Sequence, residues 1–467
     1  MDGVNELSAA PTPHRSLWFD QELADTMPAP PLSGRVSADV AIIGGGYVGL
    51  WTAIQLKERE PGCEVVLLER DVCGAGASGK NGGFVLSWWP KIEALVSLCG
   101  TSEALRLAQA SEQAIGEIAA FCERHAIDAH FVRGGWLWSA TNTAQMTAWE
   151  SVLRTCERLG AMPFTRLSSD DVRSRSGSSV HRAGVLEASN ATVHPGALAR
   201  GLRRVALERG VRIYEQSSVR SFTRDTPSIV RTDGGRVVAD TVVLAIGPWA
   251  AAIPELARAL VVVSSDIVAT EPAPQRLREI GWTDGVAITD AQLRVHYYRT
   301  TRDGRIVFGK GGGALALGGR IDASFDRAPT RAAETARDFR RYYPALHDVR
   351  LACDWSGAVE RTPNSLPAIG HFPAQRNILH GVGWSGHGVG PSFLGGRILA
   401  SLALHERDEW SGAGVVNRSM GQFPPEPLRF IGGALVQRAI TRKERAEADE
   451  RRPALMDRML ARLAPHE

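Results

Sequence analysis

The spacing of apolar and polar positions changes several times along the chain, and each change marks an element. Residues 38–43 read ADVAII, an apolar run too short for a helix, followed by the glycines of GGGYVG. WTAIQLKERE then has helical spacing, and CEVVLLER at 63–70 is a second apolar strand. Strand, tight turn, helix, strand is a βαβ unit, which implies a parallel sheet with helices on its faces. The pattern is helical from about 92 to 126, strand-like in GGWLWSA at 134–140, and helical again at 143–160 and 193–210. VRIYEQSSV at 211–219 reads as a strand, and RVVADTVVLAIGPWA at 236–250 as a hairpin-like strand pair. The chain turns strand-rich from about 261 to 325, where QLRVHYYRTTRDGRIVFGK folds back at Asp303-Gly304, a favoured hairpin turn. A helix over 329–343 closes at Pro344, and ILHGVGWSGHGVGPSFLGGRILASLAL at 378–404 is a strand, a glycine loop and a helix.

These patterns alternate, which predicts interleaved domains. Residues 1–36 form a polar, proline-containing arm pinned by Trp18 and Phe19. Residues 37–95, 190–260 and 355–422 form a nucleotide-binding domain. Residues 96–189 and 261–354 form a sheet-rich substrate domain, and 423–467 a helical C-terminal extension.

Composition narrows the field. A chain of 467 residues with 44% hydrophobic and 22% charged residues is globular, not disordered or rod-like. Its formal charge of +3 provides no bulk field for nucleic acid or a membrane surface. The six cysteines form no CxxC pair, which suits reduced, mostly buried thiols. Without a signal sequence or an apolar run long enough to span a bilayer, the expected location is the cytoplasm.

The chemistry begins at Gly44, Gly46 and Gly49, a GxGxxG between strand and helix. Gly44 allows the tight turn, Gly46 the approach of a pyrophosphate, and Gly49 close packing of helix on strand. Tyr47 and Val48 then open a helix whose free N–H groups face an anion. Glu69 ends the second strand and can accept both hydroxyls of an adenosine ribose; its charge disfavours a 2′-phosphate. The glycine- and serine-rich stretch GAGASGKNGG at 74–83 suits a chain running along an extended dinucleotide. The second glycine loop, 381–390, precedes a helix that would stabilise negative charge. Two such sites at opposite ends of the chain favour FAD over NAD, and no second GxGxxG unit of strand, turn, helix and strand is found for a pyridine nucleotide.

GGGYVGLWTAIQLKE, VVLLER, GAGASGKNGGF, VVLAIGPWA and GHFPAQRNILHGVGWSGHGVG together resemble the FAD-dependent oxidoreductases of the D-amino acid oxidase and glycine/sarcosine oxidase superfamily. FPPEPLRFIGG at 423–433 resembles the gamma-glutamylputrescine oxidoreductase branch. The resemblance implies an α/β plus α+β fold, a Rossmann-like FAD-binding domain interleaved with a mostly antiparallel substrate domain, of the glutathione reductase type. It implies oxidation of an amine or amino-acid C–N bond, with a small-molecule amine and O2 as partners and peroxide as a product. It puts Gly44, Gly46, Gly49, Glu69 and Arg70 on the ADP half. Ala77, Ser78, Gly79, Lys80, Asn81, Gly82 and Gly83 fall along the ribityl chain and ring, Val219 near adenine, and Gly247 and Trp249 near the diphosphate. Gly383, Trp384, Gly386, His387, Gly388 and Val389 fall at the pyrimidine edge. No histidine in 70–90 and no cysteine in 378–395 offers a covalent link, so noncovalent FAD is expected, and no metal.

The substrate side is less defined. His296 and Tyr298 share one strand face, either lining the pocket or packing behind the sheet. Lys310 is either an oxygen-activating lysine or an ordinary surface one. Trp384 is placed to wall the site. Arg361 either binds an anionic substrate end or pairs with a nearby acid. His387 should be neutral at the start of a helix and touch cofactor or substrate. The substrate would be an amine that also carries an anion, such as an ω-amino acid, a gamma-glutamylputrescine-like compound or an aminoalkylphosphonate. A sarcosine-like secondary amine, a dehydrogenase with a non-oxygen acceptor, and a regulatory protein with a retained nucleotide fold are the alternatives.

Overall fold

In the computed structural model, residues 14–23, 27–373, 375–419 and 421–464 are described. The βαβ unit forms as its pattern requires. Strand Gly34–Ile43 pairs in parallel with Val65–Leu68 on one side and Gly235–Leu244 on the other, with helix Tyr47–Arg59 between the first two in sequence. Arg212–Tyr214 extends the parallel sheet beyond Val65–Leu68, and Gln375–Val382 extends it beyond Gly235–Leu244. Ala368–Phe372 closes that edge antiparallel. The expected strand pair within 236–250 is instead one ten-residue strand followed by a 3-10 turn, Gly247–Ala252. Its hairpin partner is Ser228–Thr232 upstream.

The helices lie where close backbone approach permits. A Cβ on Gly396 would meet Trp51 at 2.5 Å, so helix Ser392–Ala403 seats directly on helix Tyr47–Arg59. Trp51 fills the remaining gap between Phe121 and Phe393, edge-on to both.

The second sheet runs in the order Leu351–Arg361, Val261–Thr270, Ile306–Lys310, His296–Thr300, Ala287–Asp290, Trp136–Ala140, Ala183–Glu187, Phe164–Leu167. All its pairings are antiparallel except that of Ala287–Asp290 with Trp136–Ala140. The fold is therefore the mixed, interleaved one expected. Strand Leu351–Arg361 lies wholly in this covering sheet, so the crossing back to the nucleotide-binding sheet comes after Arg361 rather than at 355. Helix Pro329–Tyr342 backs the sheet over an aromatic layer of Trp282, Tyr298, Phe308, Phe339, Tyr342 and Tyr343.

The first 13 residues of the arm and residues 24–26 lie outside the described residues. The arm's helix, Leu17–Glu22, and the serine before it are bound to the cofactor loop. The Ser16 hydroxyl donates to the Gly79 carbonyl at 2.5 Å, and the Trp18 indole N–H to the Asn81 carbonyl at 2.8 Å. Fully buried Glu215 ties three segments together, accepting from the backbone of Ala29 (2.6 Å) and Cys73 (2.7 Å) and from the Arg203 guanidinium (2.8 Å).

Candidate active site

A cavity of about 1770 Å³ runs between the two sheets. Its first end is built by glycine. Gly44 has φ +107°, and a Cβ there would lie 2.4 Å from the Ala245 carbonyl oxygen. A Cβ on Gly49 would lie 2.0 Å from the Gly44 carbonyl oxygen. Gly44, Gly46, Tyr47 and Val48 line the cavity at the helix start, where N–H groups lack intrahelical partners. Ser78 takes one of them, accepting the Tyr47 N–H at 2.9 Å. Glu69 closes the turn by accepting the Gly45 N–H at 2.8 Å and the Asp71 N–H at 3.0 Å, while burial raises its pKa. Arg70 stacks 3.8 Å over the Trp249 ring, and Val219 and Gly247 complete this end.

Ala77, Ser78, Lys80, Asn81 and Gly82 line the middle. The Lys80 ammonium, nearly buried, sits 2.5 Å from Asp326; burial lowers its pKa and Asp326 opposes that shift. Asn81 braces its own loop, accepting the Gly83 N–H at 2.7 Å and donating to the Ser78 carbonyl at 2.7 Å. Four of the expected contacts build the walls without lining the cavity: Gly49, packed on Gly44, and three more glycines. Gly79 passes under Phe19, where a Cβ would come within 1.8 Å. Gly83, with φ +80°, passes the Val193 carbonyl, and Gly383 passes Thr362.

At the far end stand Trp384, Gly386, His387, Gly388, Val389, Arg361 and Asn364. The His387 Nδ1 is buried without a hydrogen-bond partner among the described residues. Burial first, then Lys91 and Arg361, hold its pKa well below the usual imidazole value, so the ring is neutral. The helix dipole invoked from sequence is not the main cause, because the helix begins only at Ser392.

The other candidates lie elsewhere. Tyr297 is the strand residue that faces the cavity, its hydroxyl 2.7 Å from that of Ser265. By alternation His296 and Tyr298 face backwards, as does Lys310, which stands in register with His296. His296 bridges Asp290 (2.7 Å) and Asp338 (3.0 Å), and Lys310 pairs with Asp338 (2.6 Å) and Glu334 (2.7 Å). Tyr298 lies in the aromatic layer, its hydroxyl 3.2 Å from His181. None of the three lines the cavity.

Sequence reasoning missed Tyr297, Glu360 and Lys91. Glu360, 4% exposed, accepts the backbone N–H groups of Gly383 (3.2 Å) and Trp384 (3.3 Å), and burial raises its pKa to about 7. For Tyr297 a signal existed. Gly82 and Gly309 leave room for its ring, since a Cβ on either would come within 2.9 and 2.1 Å of it.

The fold and the glycine cradle define a dinucleotide-dependent oxidoreductase. The family profile described as FAD dependent oxidoreductase (DAO) matches residues 39–402, and the chain belongs to that family. It is 29% identical over 394 residues to gamma-glutamylputrescine oxidoreductase of Escherichia coli (strain K12), covering 84% of this chain and 89% of that protein. It is 28% identical over 405 residues to a probable oxidoreductase OrdL of Haemophilus influenzae, covering 85% and 90%. In architecture it is similar to the crystal structure of glycine oxidase from Geobacillus kaustophilus, with a TM-score of 0.69 at 20% identity, covering 84% of this chain and all of that one. Among the described residues, no helix is long and apolar enough to cross a membrane.

Proposed function

We propose that this protein oxidises the C–N bond of a small amine or amino acid that also carries an anionic group, using noncovalent FAD and O2. The residues present fit the cofactor. The Gly44–Gly49 turn leaves space that a side chain would fill, and Glu69, on the same stretch of cavity wall, would accept the ribose hydroxyls. Residues 70–90 hold no histidine and residues 378–395 no cysteine that could link the flavin covalently, and Cys73 is turned away against Gly45.

Bound FAD supplies a two-electron acceptor for hydride. The remaining work belongs to the chain. Tyr297, Trp384 and Val389 form walls that exclude water and orient the substrate carbon. His387, held neutral, can take or give a hydrogen bond at Nδ1. Arg361, in the cavity wall, would bind the anionic end. Over the full cycle the amine, O2 and water give a carbonyl compound, ammonia or a smaller amine, and hydrogen peroxide.

The observation that carries this reading is the convergence of Arg361, Lys91 and a neutral histidine on one end of a cavity whose other end is a dinucleotide cradle. The amines in the names of relatives, gamma-glutamylputrescine and glycine, support it. The test is an anaerobic titration of the purified flavoprotein with amino acids, ω-amino acids and secondary amines. Bleaching of the flavin bands by one class, reversed by air with formation of peroxide, is expected. Bleaching that air does not reverse points to a dehydrogenase, and bound flavin that no amine reduces overturns the reading.

A further inference from the structure

The family match ends at residue 402, but the cavity wall continues past it. Ser419, Gly421 and Phe430 line the cavity; the first two precede helix Leu428–Ala448 and Phe430 lies in its first turn. Their position is at the Arg361 end. Gly421 lies against Pro363, two residues beyond Arg361, where a Cβ would stand 3.4 Å from the Pro363 ring. The helix also presses on Leu315, another wall residue. A Cβ on Gly433 would come within 2.6 Å of the Leu315 side chain, and Leu315 bridges to Val263 of the covering sheet.

The stretch between Lys310 and Arg320 has glycine at 311, 312, 313, 318 and 319, so it carries few side chains that could fix its path. Backbone bonds to the covering sheet hold its first half, from the N–H of Gly311 to Val295, Gly313 to Ser264 and Ala316 to Val262, and the C-terminal segment holds the glycine turn that follows. Glu426 accepts the Gly318 N–H at 2.9 Å, and the Phe430 N–H of its own helix at 3.1 Å. Arg429 pairs with Glu426 at 2.8 Å and donates to the Leu260 carbonyl at 3.1 Å, fixing the helix start to the covering sheet. Gln437 donates to the Gly313 carbonyl at 3.3 Å, and Glu444 accepts the Arg294 N–H at 2.9 Å. Between Ser419 on one side and Arg320 and Asp322 on the other, this wall presents the apolar side chains of Phe430, Leu315 and Leu317 to the cavity.

We propose that Ser419 and residues 421–444 form the outer wall of the substrate end, and that Phe430, with the Gly318 turn held by Glu426, sets the longest apolar arm of the amine that the site admits. This rests on the reading that an amine binds at the Arg361 end. The wall suits a methylene chain, because a charged group set against Phe430 and Leu315 rather than on Arg361 would lose water without gaining a partner from these two side chains.

The test compares wild type, Phe430→Ala and Glu426→Gln as FAD-loaded proteins against straight-chain ω-amino carboxylates of increasing length. For Phe430→Ala, kcat/KM for the longest members should rise relative to the shortest by about tenfold, the scale on which methylene-sized changes in an apolar pocket act. The control Leu435→Ala, on the exposed outer face of the same helix, should leave the length profile unchanged. An unshifted profile in Phe430→Ala overturns the proposal. In Glu426→Gln, amide hydrogen exchange at Gly318 should accelerate while residues 311–316 and the covering sheet stay protected, and unchanged exchange at Gly318 overturns the role of Glu426. If no amine bleaches the wild-type flavin, the reaction reading fails. Binding of alkyl carboxylates of graded length, read as a shift in the flavin bands, then still decides whether Phe430 limits length.

Discussion

The Lys80 ammonium, on the cofactor loop, sits 2.5 Å from the carboxylate of Asp326, on the loop beside the covering sheet. This ion pair ties the two halves of the molecule together at the cavity. Lys80 is 7% exposed and Asp326 24%, so the cation depends on its partner more than the anion does. Asp326→Asn should therefore destabilise the protein by about 2 kcal/mol, toward the low end for breaking a buried pair because Asp326 keeps some solvent. Removing both charges, as Lys80→Met with Asp326→Leu, should cost less than the single change. Urea unfolding of the apoprotein checks both, and an additive double mutant would show that the pair is not coupled.

Glu360 makes stability depend on pH in an unusual direction. Its folded pKa, raised to about 7 by burial, lies above the ordinary carboxylate value of 4.5. The neutral form is thus favoured by folding. The stabilisation is complete below pH 4.5 and is lost as pH rises toward 7, by up to about 3 kcal/mol. Glu187, buried beside Ser87 and also raised to about 7, acts over the same window. Buried neutral histidines such as His181, His380 and His387, held below the usual imidazole value by burial, act in the opposite sense over part of this window, so the Glu360 contribution is read as a difference between variant and wild type. The urea midpoint of Glu360→Gln apoprotein should gain on that of wild type as pH rises from 5 to 7, and the double variant with Glu187→Gln should gain more. A difference that does not change over that window would contradict the assignment.

Tyr297 and Tyr298 are adjacent, and the structure gives them opposite duties. Tyr298→Phe loses a buried contact to His181 and should cost about 1 kcal/mol of stability while leaving amine oxidation in place. Tyr297→Phe loses the contact to Ser265 on the cavity wall and should change KM or kcat more than stability. Thermal unfolding and steady-state kinetics on the same two proteins separate these effects.

The same pair shows what the sequence could and could not reveal. A strand period of two says that His296 and Tyr298 share a face; it does not say which face meets the cavity. That choice depends on helix Pro329–Tyr342 packing behind the sheet and on Asp290 and Asp338 receiving His296, both long-range facts. By contrast, Gly44, Gly49 and Glu69 were legible because their roles are local, fixed by the strand–turn–helix geometry around them. Glu360 escaped notice because only tertiary folding brings the backbone of Gly383 and Trp384 to its carboxylate. Phe430 was hidden for the same reason, in an extension whose sequence reads as a surface helix.

Arg361 is the residue on which the proposed substrate class turns. It lines the cavity beside Gly311 and acts electrostatically on His387. An arginine holds a carboxylate through two parallel hydrogen bonds that a lysine cannot reproduce. Arg361→Met should raise KM for an amine carrying a carboxylate by about a hundredfold, roughly the loss of one charge-assisted contact of about 3 kcal/mol, and should change KM little for an uncharged amine. Arg361→Lys should recover only part of the loss. The methionine variant should also relieve His387 of one nearby cation, so its imidazole pKa should rise, visible as a shifted acid limb in the pH dependence of kcat/KM or in the proton chemical shifts of the ring. Equal losses on charged and uncharged amines would make Arg361 a wall residue, and the anion would have to be bound elsewhere.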